Sequence, residues 1–189
     1  RWAGIRVRTV ERAEDAALVG RTLGEIAEER GTTPSRLMID LSLANDLKAS
    51  FLAANLGHDD VERVGPLLAD PCVHVGASDG GAHIQTFSTY GDTGYLFSAF
   101  VRSGHLTLEQ AVKKITADPA QIWGIKGRGL LQPGLAADVT VFDADTIDRD
   151  EEVAAHDMPE GGMRYVRGSK GVETVIVGGE IAWSREAGY

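Results

Sequence analysis

The 189-residue chain contains one cysteine, Cys72, so an intrachain disulfide is excluded and a reducing, cytoplasmic setting is expected. Basic residues are few: 19 Lys and Arg stand against 28 Asp and Glu, a formal net charge of −9. That balance repels phosphate backbones and argues against nucleic acid as a partner. No apolar run approaches the roughly 18 residues needed to span a bilayer, so no membrane partner is expected and the chain reads as soluble. A G-x-S-x-G nucleophile elbow is absent, as is a G-x-x-x-x-G-K-[ST] phosphate loop. The five histidines, His58, His74, His83, His105 and His156, form no H-x-H or H-E-x-x-H pair and join no Cys/His cluster. The chain alone is therefore expected to bind no metal tightly.

What is present is an ordinary globular composition, 43% hydrophobic and 25% charged. Residues 5–10 alternate apolar with polar and are rich in β-branched side chains, which predicts a strand. Thr22, three residues before Glu25, forms a capping-box signature and opens a helix carrying Leu23, Ile26 and Ala27. Thr33-Pro34 opens a second helix, whose buried stripe is Leu37, Met38, Leu41 and Ala44. A short apolar run at 49–54 counts as a strand, 59–69 as a helix with Val61, Val64 and Leu68 inward, and 72–77 as another strand. The order β-α-α-β-α-β predicts parallel β-α units.

A Gly-rich loop at 80–94 and three helices, near 95–102, 107–117 and 119–123, follow. Thr107 and Gln110 supply a second capping pair. From residue 127 the texture changes: a strand at 138–142, an acidic loop at 143–162, and strands at 172–177 and 180–183 flanking a Gly178-Gly179 hairpin turn. A domain boundary is expected there, dividing 1–126 from 127–189.

The stretch most suggestive of chemistry is V-H-V-G-A-S-D-G-G-A-H at 73–83. A buried strand ending in Asp79 would hold a carboxylate at the sheet end where ligands bind, partly desolvated and raised toward general-base strength. The competing reading is a plain Asp-Gly-Gly turn. His83, four residues beyond Asp79, is either a substrate-side group or an ordinary loop histidine. His74 reads as a mid-strand core histidine, His58 and His105 as solvated residues before helices, and Cys72 as inert packing at a buried strand start. Phe87, Tyr90, Tyr95 and Phe97 either wall a pocket or fill the core.

Three segments carry a resemblance: G-A-S-D-G-G-A-H at 76–83, L-T-L-E-Q-A-V at 106–112 and G-R-G-L-L-Q-P-G-L-A-A-D-V-T-V-F-D at 127–143. Together they resemble the metal-dependent amidohydrolase superfamily. G-T-T-P-S-R-L-M-I-D-L at 31–41 and P-E-G-G-M-R-Y-V at 159–166 narrow the resemblance to its N-acyl-D-amino-acid deacylase (D-aminoacylase) subgroup. It implies an α/β fold: the C-terminal part of a TIM-like (β/α)8 barrel, with about the last three strands and helices, followed by a small β-sandwich segment. It also implies zinc at the strand ends of the full-length parent. Asp79 matches the aspartate that accepts a proton from metal-bound water and passes it to the leaving amine, and is a metal ligand in the same sense. Gly80, Gly81 and His83 would face the substrate. Arg164 and Tyr165 are not assigned to the substrate, since a surface of the β region explains them equally well.

The remaining metal ligands of that family have no counterpart here, and a complete barrel needs about 250 residues and eight strands. The expectation is therefore a C-terminal portion cut at both ends, inactive alone and self-associating through open sheet edges. The parent's expected substrate is the N-acyl amide of a D-amino acid. A cyclic amide, as in dihydroorotase- or hydantoinase-like enzymes, and a non-catalytic interaction domain that kept the fold are the alternatives.

Overall fold

The computed structural model describes residues 2–53, 60–76, 81–88 and 91–188. The chain divides into two compact units, Arg1–Asp60 and Val61–Tyr189.

In the first unit, β1 (Arg6–Thr9) is followed by α1 (Leu23–Glu29), α2 (Pro34–Ala44) and β2 (Ser50–Leu52). Both predicted helix starts are present. Thr22 accepts from the Glu25 N–H while the Glu25 carboxylate accepts from the Thr22 N–H, and Thr33 caps α2 with Pro34 in the first turn. Leu23, Ile26, Leu37 and Leu41 meet Val7 and Leu18 in one core. Each such burial is worth about 1.5–3 kcal/mol against exposure. Asn45, at the end of α2 and 1% exposed, uses its whole amide. It accepts from the Glu11 and Arg12 N–H groups, both at 2.8 Å, and donates to Asp15 Oδ2 and to the Leu41 carbonyl.

The expectation of parallel strands is corrected here: β1 and β2 run antiparallel, in register Arg6↔Leu52 and Val7↔Phe51. A single crossover helix returns a chain to a parallel start. Two helices lie between these strands instead, and the Thr9 and Ser50 hydroxyls close the pair at 2.5 Å.

In the second unit, α3 (Val61–Ala69) precedes α4 (Asp92–Tyr95), which runs on as a π-helical turn over Leu96–Val101. Next come α5 (Leu108–Ile115), capped reciprocally by Thr107 and Gln110, and α6 (Ala117–Ile122). The strands β3 (Val139–Phe142), β4 (Asp148–Ala155), β5 (Arg164–Lys170), β6 (Val172–Val177) and β7 (Glu180–Ser184) make two antiparallel sheets, β3-β6-β7 and β4-β5. Leu96, Phe97, Phe100, Leu106 and Ala111 share a core with Phe142 and Ile147, so residues on both sides of position 127 bury each other.

Two further expectations are corrected. The segment 143–162 contains β4, the longest strand described. Its run of acids is carried by cross-strand pairing with a basic β5, as in Lys170 with Asp150 at 3.3 Å. The predicted strand at 72–77 has no sheet partner over 72–76. Side chains take its polar groups: Asp70 Oδ1 accepts from the Cys72 N–H, and Lys114 Nζ donates to the Asp70 and Val73 carbonyls. Cys72 and His74 are accordingly exposed rather than buried.

Candidate functional site

Asp79 and Gly80, central to the sequence-based site, lie outside the described residues, as do His58 and Tyr90. Gly81 and His83 are described, in one turn. Gly81 has φ of +89° and His83 φ of +53°, left-handed for a residue with a Cβ. Such backbone is sparsely populated and held by its surroundings. Here the His83 carbonyl accepts from the Thr86 N–H and hydroxyl, both at 2.7 Å, and from the Phe87 N–H at 3.2 Å. The exposed His83 ring stacks on Phe87 with centroids 5.9 Å apart.

This turn is tied to the β4-β5 hairpin. The Tyr165 N–H donates to the Ile84 carbonyl at 2.6 Å, and the Ser88 N–H donates to Glu152 Oε2. Arg167 Nη2 stands 3.8 Å from the same Glu152 oxygen, with both side chains largely buried. Tyr165 is 6% exposed, so a surface position does not explain it. Arg164 holds Asp157 through two 2.7 Å hydrogen bonds. Sequence reasoning missed Glu152 and Arg167 because the acidic texture of 148–152 reads as a loop and hides the pairing of β4 with β5.

The other histidines are dispersed. His105, expected to be solvated, packs against α3, where its ring lies over Gly65. Its Nε2 is 3.5 Å from Glu62 and makes no hydrogen bond among the described residues. His156 is exposed beside the Gly161 carbonyl. Of the aromatic group, Phe97 fills the core, while the Tyr95 ring lies under the Arg149 guanidinium at 3.8 Å. Tyr95 and Arg149 line a cleft of about 320 Å³ with Arg102, Asp148 and Lys170, and neither Gly81 nor His83 lines it. Within it Ser98 Oγ donates to Asp148 at 2.6 Å, Arg102 stands 3.9 Å from Asp148 and Lys170 3.3 Å from Asp150.

The G-R-G-L-L-Q-P-G-L-A-A-D segment is a structural latch. Arg128 pairs with Asp138 Oδ2, while Asp138 Oδ1 accepts from the Gly178 N–H at 2.8 Å. Those two contacts hold the Asp138 carboxyl below the usual carboxylate range. The Gly179 N–H then donates to the Ala137 carbonyl, binding the segment to the β6-β7 turn.

Among the described residues no three His, Cys, Asp or Glu side chains converge to hold a metal ion. The described groups therefore supply no zinc cradle. No helix among them is long and apolar enough to cross a membrane.

Residues 3–182 match the amidohydrolase family. The D-aminoacylase of Alcaligenes xylosoxydans xylosoxydans is 30% identical over 176 residues, 90% of this chain and 32% of that protein. The N-acyl-D-glutamate deacylase of the same organism is 39% identical over 125 residues, 64% of this chain and 23% of that protein. A solved structure of N-acyl-D-glutamate deacylase from Bordetella bronchiseptica, complexed with zinc and a phosphonate mimic of the tetrahedral intermediate, superposes with a TM-score of 0.52. It is 26% identical, and the match covers 97% of this chain and 35% of that one. The chain thus spans about a third or less of the length of the relatives it matches. With the fold, the latch segment and the match over 3–182 in agreement, the chain belongs to the amidohydrolase family.

Proposed function

We propose that the whole protein hydrolyses a non-peptide C–N bond, the N-acyl amide of a D-amino acid, with zinc as its metal. The observation that carries this reading is the similarity to D-aminoacylase along 90% of the chain. The 189 residues are read as the C-terminal portion of that enzyme, the last barrel strands and helices over 1–126 and a β-sandwich segment over 127–189. Asp79 is assigned the proton transfer, accepting at its carboxylate and delivering to the leaving nitrogen. A carboxylate suits that task because its two protonation states are accessible near the working pH once it is partly desolvated. Gly80 and Gly81 let substrate approach the backbone, and His83 stands on the substrate side of Asp79, two residues past Gly81.

By the same reading the isolated chain turns nothing over, self-associates through its open sheet edges and resides in the cytoplasm. Neither nucleic acid nor membrane is assigned as a partner.

The test is to express the full-length protein and measure release of free amino acid from N-acyl-D- and N-acyl-L-amino acids, and ring opening of dihydroorotate to N-carbamoylaspartate. Zinc-dependent release from the D series, abolished by Asp79→Asn, is expected. Turnover of dihydroorotate alone would replace the substrate class with a cyclic amide. No turnover of any of them would leave a non-catalytic interaction domain.

A further inference from the structure

The contact between the 81–88 turn and the β4-β5 hairpin is built from polar groups in a buried place. Ser88 is 5% exposed, and the Glu152 and Arg167 side chains are 12% and 15% exposed. Glu152 Oε2 receives the Ser88 N–H and faces the Arg167 guanidinium at 3.8 Å. Among the described residues neither Ser88 Oγ nor Arg167 Nε has a hydrogen-bond partner.

A largely buried ion pair beside two polar atoms without partners among the described residues is a poor way to gain stability. Desolvation offsets most of the attraction, and apolar side chains of the same volume would do as well or better. Such a cluster calls for an explanation other than packing. Its position supplies one. Glu152 is anchored in the longest strand described and holds the far end of the turn at Ser88, while the Tyr165 N–H holds the middle at Ile84. Between Gly81 and Ile84 stands His83, in a left-handed conformation that needs external support.

We propose that Glu152 and Arg167 are positioning residues. Arg167 orients the Glu152 carboxylate, Glu152 seats Ser88, and the seated turn presents His83 to the substrate of the amide hydrolysis proposed above. The inference rests on that reading for the substrate, and on the hydrogen bonds alone for the clasp.

Hydrogen exchange over 81–88 and steady-state kinetics of the full-length protein test it, using Glu152→Ala, Glu152→Gln and Arg167→Met. Losing a hydrogen bond to a charged acceptor should raise exchange across 81–88 about tenfold or more in Glu152→Ala. Glu152→Gln keeps an acceptor oxygen and should fall between wild type and Ala. For the N-acyl-D-amino acid turned over, KM should rise about tenfold in Glu152→Ala with kcat changed less than about twofold, and Gln should restore most of it.

Unchanged exchange over 81–88 in Glu152→Ala overturns the clasp. Exchange raised evenly over 61–189 shows a merely structural pair and also overturns it, as does raised local exchange with an unaltered KM. If wild-type protein hydrolyses none of the N-acyl-amino acids, the proposed deacylase activity fails, and exchange alone then decides the clasp.

Discussion

Lys114 Nζ donates to the carbonyl oxygen of Val73 at 2.7 Å, joining residues 41 positions apart. The same ammonium reaches the Asp70 carbonyl at 3.1 Å, and Lys114 is only 6% exposed. A lysine on α5 thus holds the segment that leads toward Asp79. Lys114→Met keeps the apolar stem and removes the donor, leaving two carbonyls without it. The expected loss is about 1–3 kcal/mol, read from denaturant unfolding. A midpoint equal to wild type would mean that water replaces the ammonium without cost.

Gly171 and Gly178 both have positive φ, +71° and +61°, but in different surroundings. A Cβ on Gly171 would lie 2.4 Å from the Ile147 nitrogen, whereas one on Gly178 meets nothing within 4 Å. Gly178→Ala should cost only the left-handed conformation, about 1–2 kcal/mol. Gly171→Ala adds displacement of β4's approach and should cost about 1–3 kcal/mol more. Equal melting temperatures for the two variants would contradict the close approach of 146–147 to Gly171.

Asn45 spends every hydrogen-bonding group of its amide between α2 and the 11–15 segment. Asn45→Leu keeps the branched shape but is bulkier and strands the Glu11 and Arg12 N–H groups, a loss of about 3 kcal/mol or more. Exchange of those two amides should accelerate with it, and unchanged exchange would show that the clamp is dispensable.

Seven carboxyls, Glu25, Glu109, Asp118, Asp138, Asp143, Asp150 and Asp157, are held below their ordinary range by hydrogen bonds and cationic neighbours. The unfolded chain therefore binds protons at a higher pH than the folded one. Their contribution is fully present above about pH 5 and is lost as pH falls through the lowered folded values, below about 4. Melting temperature should drop across that interval. Asp157→Asn, which removes the carboxylate held by Arg164, should shallow the drop; an unchanged slope would show that this pair is unlinked to folding.

Local signals were the legible part of the fold. The capping boxes at Thr22 and Thr107, Pro34 at the start of α2 and the Gly178-Gly179 turn each depend on neighbours within four residues, and each is present. The misread elements depend on distant partners. Residues 72–76 have strand-forming side chains, yet their polar groups are claimed by Asp70 and by Lys114 from α5. In β4, the acids of 148–152 look like a solvated loop until a basic strand is set beside them. The same holds for the site. His83 and Gly81 could be picked from their own segment, whereas Glu152 lies 64 residues from the Ser88 it holds.

The pairing of Arg128 with Asp138, and of Asp138 with the Gly178 N–H, separates lineage from reaction. The stretch whose sequence resembles the amidohydrolases is kept in place by its contacts with a hairpin turn. A descendant could lose every group that breaks a bond and still carry that stretch intact. Membership recognised through it certifies the scaffold, and turnover must be established separately.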